Sequence, residues 1–397
     1  MSEKQLVPKL RFAGFNESWK KHDLMEVINE FYNGQTPSRS NLSYWNGNIP
    51  WTSVSDLNYG FVTDTLEKIT DLGKESANLK ILPKDTFIIA IVGLEAKGTR
   101  GSCALLGIDS TINQACLALI PNKNKLDQSF MVQWYLYVGE QYGIKYTQGT
   151  KQQNYNIDLL KKLPIIMPIS IKEQCKIGSF LFKIDEKIRL LQEKQDYYQN
   201  FKKYLMQQIF AQKLRFDSNG LPINELNKQI KTNLLGNLCT IRTGKLDANA
   251  MDENGQYRFY TCSKEFSRIN TYAFDTEALL IAGNGEVGHI QYYNGKFNAY
   301  QRTYVLDNFN KDTSIKYVKY FLERYLPKQI WKNKQTGSMP YIVLSTLSDM
   351  KISYPSINEQ NKIVTLFSNI DEKIELMEKE LNEINNFKKG LLQQMFV

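Results

Sequence analysis

The part of the sequence that most resembles a cofactor motif is ALLIAGNGEVGHI, residues 278–290. Asp307 follows it at about the distance of a ribose-binding acid, and three glycines fit the G-x-G-x-x-G fingerprint for dinucleotides: Gly283, Gly285 and Gly288. That fingerprint needs a following helix, because the helix N-terminus holds the pyrophosphate. Here Asn294-Gly295 follows between aromatic and apolar runs, which predicts a β-hairpin with a type I′ turn. We therefore predict that the glycines shape a turn between strands and bind no nucleotide.

A second set of residues has the composition of a nuclease site: Asp85, Glu95 and Lys97. Two carboxylates and a lysine at this spacing could hold Mg²⁺ beside a scissile phosphate. The same residues are also compatible with a lysine near DNA or with a plain surface turn. The second half of the chain has Ala282-Gly283 where the first has Glu95-Ala96, so a nuclease site would have no twin.

The sequence contains few residues or motifs for other kinds of catalysis. The chain has only two histidines, and no P-loop is present. Its five cysteines are widely spaced without a C-x-x-C pair, which predicts neither a disulfide framework nor a zinc site. The sequence therefore predicts no catalytic residues, no metal and no cofactor in this chain.

The chain has 397 residues and a formal net charge of +9 at pH 7. This length predicts two or three domains, and the charge favours an anionic partner without identifying it. No apolar run reaches the roughly 18 residues of a membrane span. The first residues lack the apolar core of a signal peptide, so we expect a cytoplasmic protein with no membrane contact.

The sequence is written twice. Residues 171–210 align without a gap with residues 357–396, and both ranges contain EQ, IDEKI, FKK and QQ at the same steps. The correspondence extends back to Gln114 and Gln301, and a KLRF stretch opens each half. The repeat predicts an alternation of variable domain and conserved segment, with boundaries at 1–170, 171–212, 213–356 and 357–397.

The two repeated segments have the heptad pattern of a coiled coil. Apolar residues recur at a and d positions over about four heptads, and no proline interrupts either segment. Two matching seams in one chain favour an antiparallel helix pair, since a whole domain connects the helices. The alternative is that each helix packs on its own globular domain. The predicted seam consists of Ile177, Leu181, Ile184, Ile188, Leu191, Ile363, Phe367, Ile370, Ile374 and Met377.

Taken together, the chain resembles the specificity subunit of type I restriction–modification enzymes. The resemblance rests on the two helices, on the GQTPSR…YWNGNIPW stretch at 34–51 and on the twofold repeat, and it covers nearly the whole length. It implies an α+β fold in which two mixed α/β target recognition domains are separated by a pair of long antiparallel coiled-coil helices. The second half departs from the pattern, with GKLDANAM in place of the Gly-x-Thr-Pro stretch.

The resemblance also implies a function and partners. Each target recognition domain would read one half of a bipartite, asymmetric site in double-stranded DNA. The helices would space the domains and dock two modification (methyltransferase) subunits, which carry S-adenosylmethionine, and restriction subunits would join them. The chain itself would be non-catalytic. The alternatives are a nuclease that uses Asp85, Glu95 and Lys97, and a coiled-coil scaffold that binds only protein.

Loop residues with basic, amide or hydroxyl side chains are the candidates for DNA contact, because arginine and lysine read guanine while asparagine and glutamine read adenine. For each of them an ordinary solvated residue is the competing interpretation. In the first half the candidates are Thr36, Ser38, Arg39, Ser55, Lys97, Arg100, Lys151, Gln152 and Gln153. In the second half they are Arg242, Lys245, Ser263, Lys264, Arg302, Lys332, Lys334, Gln335 and Ser338.

Overall fold

The computed structural model describes residues 6–94, 99–147, 154–216, 222–223, 230–332 and 341–397. The chain divides into two compact units, Met1–Leu191 with Glu380–Val397, and Gln192–Lys379. Among the described helices, none is both long enough and apolar enough to cross a membrane.

Helices and strands alternate along both units. The helices are α1 (Leu24–Val27), α2 (Asp71–Ser76), α3 (Gln128–Tyr146), α4 (Ile157–Lys161), α5 (Ile171–Phe210), α6 (Ile315–Lys332), α7 (Leu344–Ser348) and α8 (Ile357–Met395). The strands of the first unit are β1 (Lys20–Asp23), β2 (Ile28–Asn33), β3 (Trp45–Thr52), β4 (Phe61–Val62), β5 (Glu67–Ile69), β6 (Phe87–Ala90), β7 (Cys103–Leu106), β8 (Thr111–Ile112), β9 (Cys116–Pro121) and β10 (Pro164–Met167). Those of the second unit are β11 (Arg215–Phe216), β12 (Pro222–Ile223), β13 (Lys231–Leu234), β14 (Thr240–Thr243), β15 (Tyr257–Tyr260), β16 (Ser267–Ile269), β17 (Phe274–Ala282), β18 (Ile290–Ala299), β19 (Thr303–Asp307) and β20 (Lys351–Tyr354).

The first unit is built on a five-stranded sheet in the order β2-β9-β6-β7-β4, with a three-stranded sheet β5-β3-β8. Strand β6 reads FIIA and is buried at every residue, as expected of a strand covered on both faces. Helix α3 packs on this sheet, and its Tyr135 ring meets Phe87 of β6 edge to face at a centroid distance of 5.7 Å.

The second unit has one six-stranded sheet in the order β14-β19-β17-β18-β15-β16. Its long strand β17 alternates between two cores, because successive side chains of a strand point to opposite faces. Leu279 and Ile281 belong to the core that α6 covers, whereas Ala278 and Leu280 belong to a smaller core around Phe297.

The predicted internal repeat is confirmed in the fold. The order β2-β9-β6-β7 of the first sheet recurs as β14-β19-β17-β18 in the second, and the succession α3, β10, α5 recurs as α6, β20, α8. In the described part of the second unit, β4 and α2 have no counterpart. The extra residues of the first half therefore lie in β4, α2 and their connections.

The glycine-rich stretch forms a turn between strands, as predicted. Strand β17 ends at Ala282 and β18 begins at Ile290, and Gly285 and Gly288 take φ values of +61° and +80°, which favour glycine. The predicted hairpin turn at Asn294-Gly295 is wrong, since both residues lie inside β18 and pair with Glu277 and Thr276 of β17. The chain reverses in the seven-residue connection 283–289, which contains the earlier glycines, and therefore continues as a strand through Asn294.

The two long helices pair in antiparallel fashion, as predicted. In the first unit, Asp185 of α5 forms an ion pair with Lys388 near the end of α8. In the second unit, Lys202 near the end of α5 forms an ion pair with Asp371 of α8 at 2.6 Å. Lys202 and Lys388 correspond in the repeat, as do Asp185 and Asp371, so the same contact is made twice. These lysines interrupt an apolar seam, where a polar residue can set the register of the helix pair.

Packing against the globular parts accompanies the pairing. Ile177 and Leu181 share one core with Trp19, with Phe130 of α3 and with Met395 of α8. The structure thus combines the two alternatives left by the sequence. Along the predicted seam, Ile177, Leu181, Ile184, Ile363, Phe367, Ile370 and Met377 are buried, while Ile188, Leu191 and Ile374 are half-buried.

Candidate nucleic-acid interface

In the second unit, several loops meet at one end of the six-stranded sheet. Glu286 N–H, in the β17–β18 turn, donates to the carbonyl of Cys262 after β15 at 3.0 Å, and Gly283 N–H donates to the carbonyl of Arg302 before β19 at 2.9 Å. We call the loops 244–251, 261–266, 283–289 and 300–302 the second loop cluster. It carries four of the predicted contact residues, all exposed: Lys245, Ser263, Lys264 and Arg302.

The first unit gathers the equivalent loops at the equivalent end of its sheets. Asn113 N–H donates to the carbonyl of Thr52 at 2.9 Å, and Ile91 N–H donates to that of Ala115 at 2.9 Å. We call the described residues of loops 34–44, 53–56, 91–102 and 113–115 the first loop cluster. It carries Thr36, Ser38, Arg39, Ser55 and Arg100, of which Ser38, Arg39 and Ser55 are exposed.

The other predicted contact residues lie elsewhere. Arg242 is on strand β14, and Lys332 is the last residue of α6. Lys97, Lys151, Gln152, Gln153, Lys334, Gln335 and Ser338 lie outside the described residues.

A glycine opens the leading loop of each cluster because the backbone approaches too closely for a side chain. A Cβ on Gly34 would lie 1.9 Å from the carbonyl oxygen of Ile112, and one on Gly244 would lie 1.8 Å from that of Ala299. Both distances are far below van der Waals contact, so any other residue would displace the loop. The equivalence of the two glycines shows that the loops leave the sheet in the same way.

A glutamine then holds each leading loop. Gln114 accepts a hydrogen bond from the Thr36 hydroxyl through its side-chain oxygen. Its counterpart Gln301 donates its backbone N–H to the carbonyl of Leu246 at 2.9 Å, and its amide reaches Asp247 at 3.4 Å. The pair that aligned in the sequence therefore anchors two loops of different sequence to the same framework.

Carboxylates hold some of the cations in these loops. Arg39 is paired with Glu67, and Lys264 lies 3.9 Å from Glu286. Hydrogen bonding between Arg39 and Glu67 raises the pKa of the guanidinium and lowers the pKa of the carboxyl. Arg242, beside the second cluster, pairs with the buried Asp307. Within the described residues, Lys245 and Arg302 have no such ion pair, so their charges are available to an anionic ligand.

The KLRF and EQ motifs, whose role the sequence did not reveal, join each globular part to its long helix. Arg11 binds Glu173 at 2.7 and 2.9 Å, and Arg215 binds Glu359 at 2.7 and 2.8 Å. Both glutamates are buried in the first turns of their helices. The conservation of both motifs in the two halves was the signal that could have predicted these pairs.

The glutamine of each EQ motif makes the same hydrogen bonds in both units. Gln174 accepts from the N–H of Asp127 at 2.8 Å and donates to the carbonyls of Lys125 and Pro168. Gln360 accepts from the N–H of Ser314 at 2.8 Å and donates to the carbonyls of Asp312 and Pro355. Both side chains are fully buried. They lock the start of each long helix to the loop that precedes α3 or α6.

The described residues give no support to the nuclease alternative. Asp85 lies in a turn before β6 with a φ of +68°, while Glu95 and Lys97 lie outside the described residues. Among the residues that the structure describes, no group of three or more His, Cys, Asp or Glu side chains could hold a metal ion.

Comparison with known proteins points to one family. The model of the type I restriction modification DNA specificity domain matches residues 16–197 and 227–386. The chain is 41% identical over 163 residues to the type I restriction enzyme EcoDI specificity subunit of Escherichia coli, a match that spans 41% of this chain and 36% of that relative. It is 23% identical over 400 residues to the MjaIX specificity subunit of Methanocaldococcus jannaschii, spanning 93% of this chain and 90% of the relative.

Solved structures share the fold. The S subunit of a type I restriction-modification system from M. genitalium covers 98% of this chain and is itself covered to 99%, with a TM-score of 0.71 and 19% identity. A chain from a study of complex assembly in a type I system covers 95% of this chain and is covered to 97%, with a TM-score of 0.52 and 16% identity.

Proposed function

Because the chain belongs to the type I restriction–modification DNA specificity family, we propose that its two loop clusters are the surfaces that read DNA, each contacting one half of a bipartite, asymmetric site. The resemblance seen in the sequence is confirmed by the family match, and the chain is a specificity subunit that recognises DNA sequence. The nuclease alternative gains no support from the relatives named above, which are specificity subunits.

The repeated loop cluster carries this proposal. Gly34 and Gly244 launch loops from the same place on each sheet, and Gln114 and Gln301 hold them. The loops themselves differ in sequence between the halves. A common framework with different exposed side chains is what reading two different half-sites requires, since base contacts specify sequence and the framework only positions them.

Exposed cations supply the attraction to DNA. Lys245 and Arg302 have no carboxylate partner among the described residues, and each can neutralise a phosphate or donate to a base edge. Of the predicted contacts outside the described residues, Lys97 belongs in sequence to the 91–102 loop, and the others follow α3 or α6 in sequence. We place them in the same interface.

We infer the remaining partners from the family resemblance. Residues 171–212 and 357–397 act as spacer helices between target recognition domains at 1–170 and 213–356. The helices dock two modification subunits, which hold S-adenosylmethionine, and restriction subunits complete the cleaving complex. The assembly acts in the cytoplasm, where the DNA is.

The experiment is a DNA-binding titration with the chain in complex with its modification subunit. Lys245→Ala and Arg302→Ala should each weaken binding, with a smaller dependence on salt, because each lost phosphate contact lowers the slope of log K against log salt by about one. Lys231→Ala is the matched control, since Lys231 is an exposed lysine on β13 paired with Asp312. Normal binding by both loop variants would remove the second loop cluster from the interface.

A further inference from the structure

One arginine of the first loop cluster is held in a fixed orientation rather than left free. The Arg39 guanidinium donates to both carboxylate oxygens of Glu67, with Nη2 to Oε2 at 2.8 Å. Its Cζ atom lies 3.8 Å from the ring centre of Trp45. A cation stacked on an indole and bound end-on by a carboxylate loses most of its rotamer freedom.

The support beneath Arg39 is rigid too. Trp45 is almost completely buried and meets Trp51 edge to face at a centroid distance of 5.2 Å. The indole N–H of Trp45 donates to the carbonyl of Ser38 at 3.2 Å, and that of Trp51 donates to the carbonyl of Gln35 at 3.1 Å. The backbone that carries Arg39 is therefore clamped over two indoles from strand β3.

The guanidinium still presents a binding edge to solvent. Arginine has five N–H donors, and Glu67 takes one from Nη1 and one from Nη2. The Nε–H and the second Nη2–H form a parallel fork, for which no acceptor exists among the described residues. The Arg39 side chain is 55% exposed, so a ligand can reach this fork.

The chemistry of the fork suits a pair of adjacent acceptors. The O6 and N7 atoms of guanine accept such a fork in the major groove, and a phosphate also offers two oxygens. The carboxylate of Glu67 favours the guanine edge over the phosphate. Its negative charge offsets that of Arg39 and weakens attraction to a phosphate, while the fixed orientation favours the directional contact with a base edge.

Among the described residues, the second half has no counterpart of the Arg39–Glu67 pair. Arg39 lies five residues after Gly34, and the residue five after the equivalent Gly244 is Asn249. Glu67 is on β5, paired in register with Trp51 of β3, and its counterpart strand β16 reads SRI, with no acid. Because the Arg39–Glu67 pair has no such counterpart, Arg39 should affect recognition of only one half of a bipartite site.

We propose that Arg39, oriented by Glu67 and Trp45, reads a guanine in the half-site bound by the first loop cluster. The inference rests on the proposed function, and it makes Glu67 and Trp45 positioning residues for sequence specificity. A bidentate arginine–guanine contact discriminates against other bases by about 5- to 150-fold.

The test uses the complex of the full chain with its modification subunit. Its affinity is measured for a panel of duplexes in which each base pair of the wild-type methylated motif is replaced in turn. Arg39→Lys keeps the charge and loses the fork, so discrimination at one guanine of one half should fall about 5-fold or more, while all other positions keep theirs. Glu67→Gln should reduce discrimination at the same guanine by a smaller factor. Replacing that guanine by 7-deazaguanine should weaken binding of the wild type more than binding of Arg39→Lys.

Lys80→Ala is the matched control, because Lys80 is another exposed cation paired with a glutamate, Glu30, in the same unit. It should leave every preference unchanged. Tryptophan fluorescence reports whether each variant keeps the fold around Trp45.

The outcomes are distinct. Uniform weakening of Arg39→Lys on all duplexes, with every base preference kept, would assign Arg39 to a phosphate and overturn the proposal. Unchanged discrimination by Arg39→Lys, or a first half-site without guanine, overturns it as well. If the wild-type complex selects no sequence, the proposed function itself fails.

Discussion

Arg215 and Glu359 form a buried ion pair where strand β11 meets the first turn of α8, and each side chain is 6% exposed. A buried pair contributes little net stability over an apolar alternative, but removing one partner leaves an uncompensated charge. In each unit the arginine of KLRF and the glutamate of EQ therefore stabilise the structure only as a pair.

Arg215→Ala should lower the free energy of unfolding by roughly 3–5 kcal/mol, because Glu359 would remain buried without its cation. Arg11→Ala should cost a comparable amount, since each glutamate keeps one other donor. The indole N–H of Trp19 lies 3.4 Å from Glu173, and the backbone N–H of Phe216 lies 3.1 Å from Glu359. Chemical denaturation of the two variants gives the comparison. Small losses in both variants would show that the glutamates are hydrated once the arginine is gone.

The pH dependence of the Arg39 loop follows from Glu67. Hydrogen bonding to Arg39 lowers the pKa of Glu67, so the pair's stabilisation is complete above the carboxyl's ordinary pKa and is lost as pH falls through the lowered one. The tryptophan fluorescence of the wild type should stay constant through the ordinary carboxyl range and change below it. In Glu67→Gln this acid transition should be absent; its persistence would assign the transition to another carboxyl group.

We expect Lys202 and Lys388 to set the register of the helix pair. Lys202→Glu should destabilise the second unit, because it places a like charge beside Asp371 and Glu323. Adding Asp371→Lys should restore part of the loss, with a coupling of roughly 1 kcal/mol in a double-mutant cycle. Lys187 with Glu380 provides the control cycle, as both side chains are about half exposed. Additive effects at Lys202 and Asp371 would show that this ion pair does not stabilise the helix pair.

A charge within the apolar seam should weaken assembly with the modification subunit. Ile188 is half-buried against the first core and Ile374 against the second. Changing either to Asp places a charge where it must relax toward water or remain poorly solvated. We expect loss of the complex with the modification subunit, measured by size-exclusion chromatography, before loss of the fold. Normal assembly by both variants would place the docking surface away from these residues.

The long helices and the repeat were predictable because their signals are local or periodic. The heptad pattern needs only spacing, and the repeat needs only comparison of the chain with itself. The hairpin prediction at Asn294 failed because strand pairing between β17 and β18 overrides a two-residue turn signal. Glu67 was missed as the partner of Arg39, since 28 residues separate them and only the β3–β5 pairing brings them together.

The first unit combines residues from both ends of the sequence, and the second unit contains parts of both long helices. The first unit needs Glu380–Val397 to complete its core, where Leu391, Met395 and Phe396 are buried. Truncation before residue 380 should therefore expose Trp19 and Phe130 and unfold the first unit, even though its loops are untouched. Proteolysis of the truncated chain measures this; a protease-resistant first unit would show that its core closes without α8.

We propose that each loop cluster reads its own half of one DNA site. The most direct test replaces residues 213–356 with the matching segment of a relative and sequences the methylated bases of host DNA modified by the parent and by the hybrid. We expect the two motifs to share the half read by the first loop cluster and to differ in the other half. A hybrid that changes both halves, or that methylates the parental motif unaltered, would contradict it.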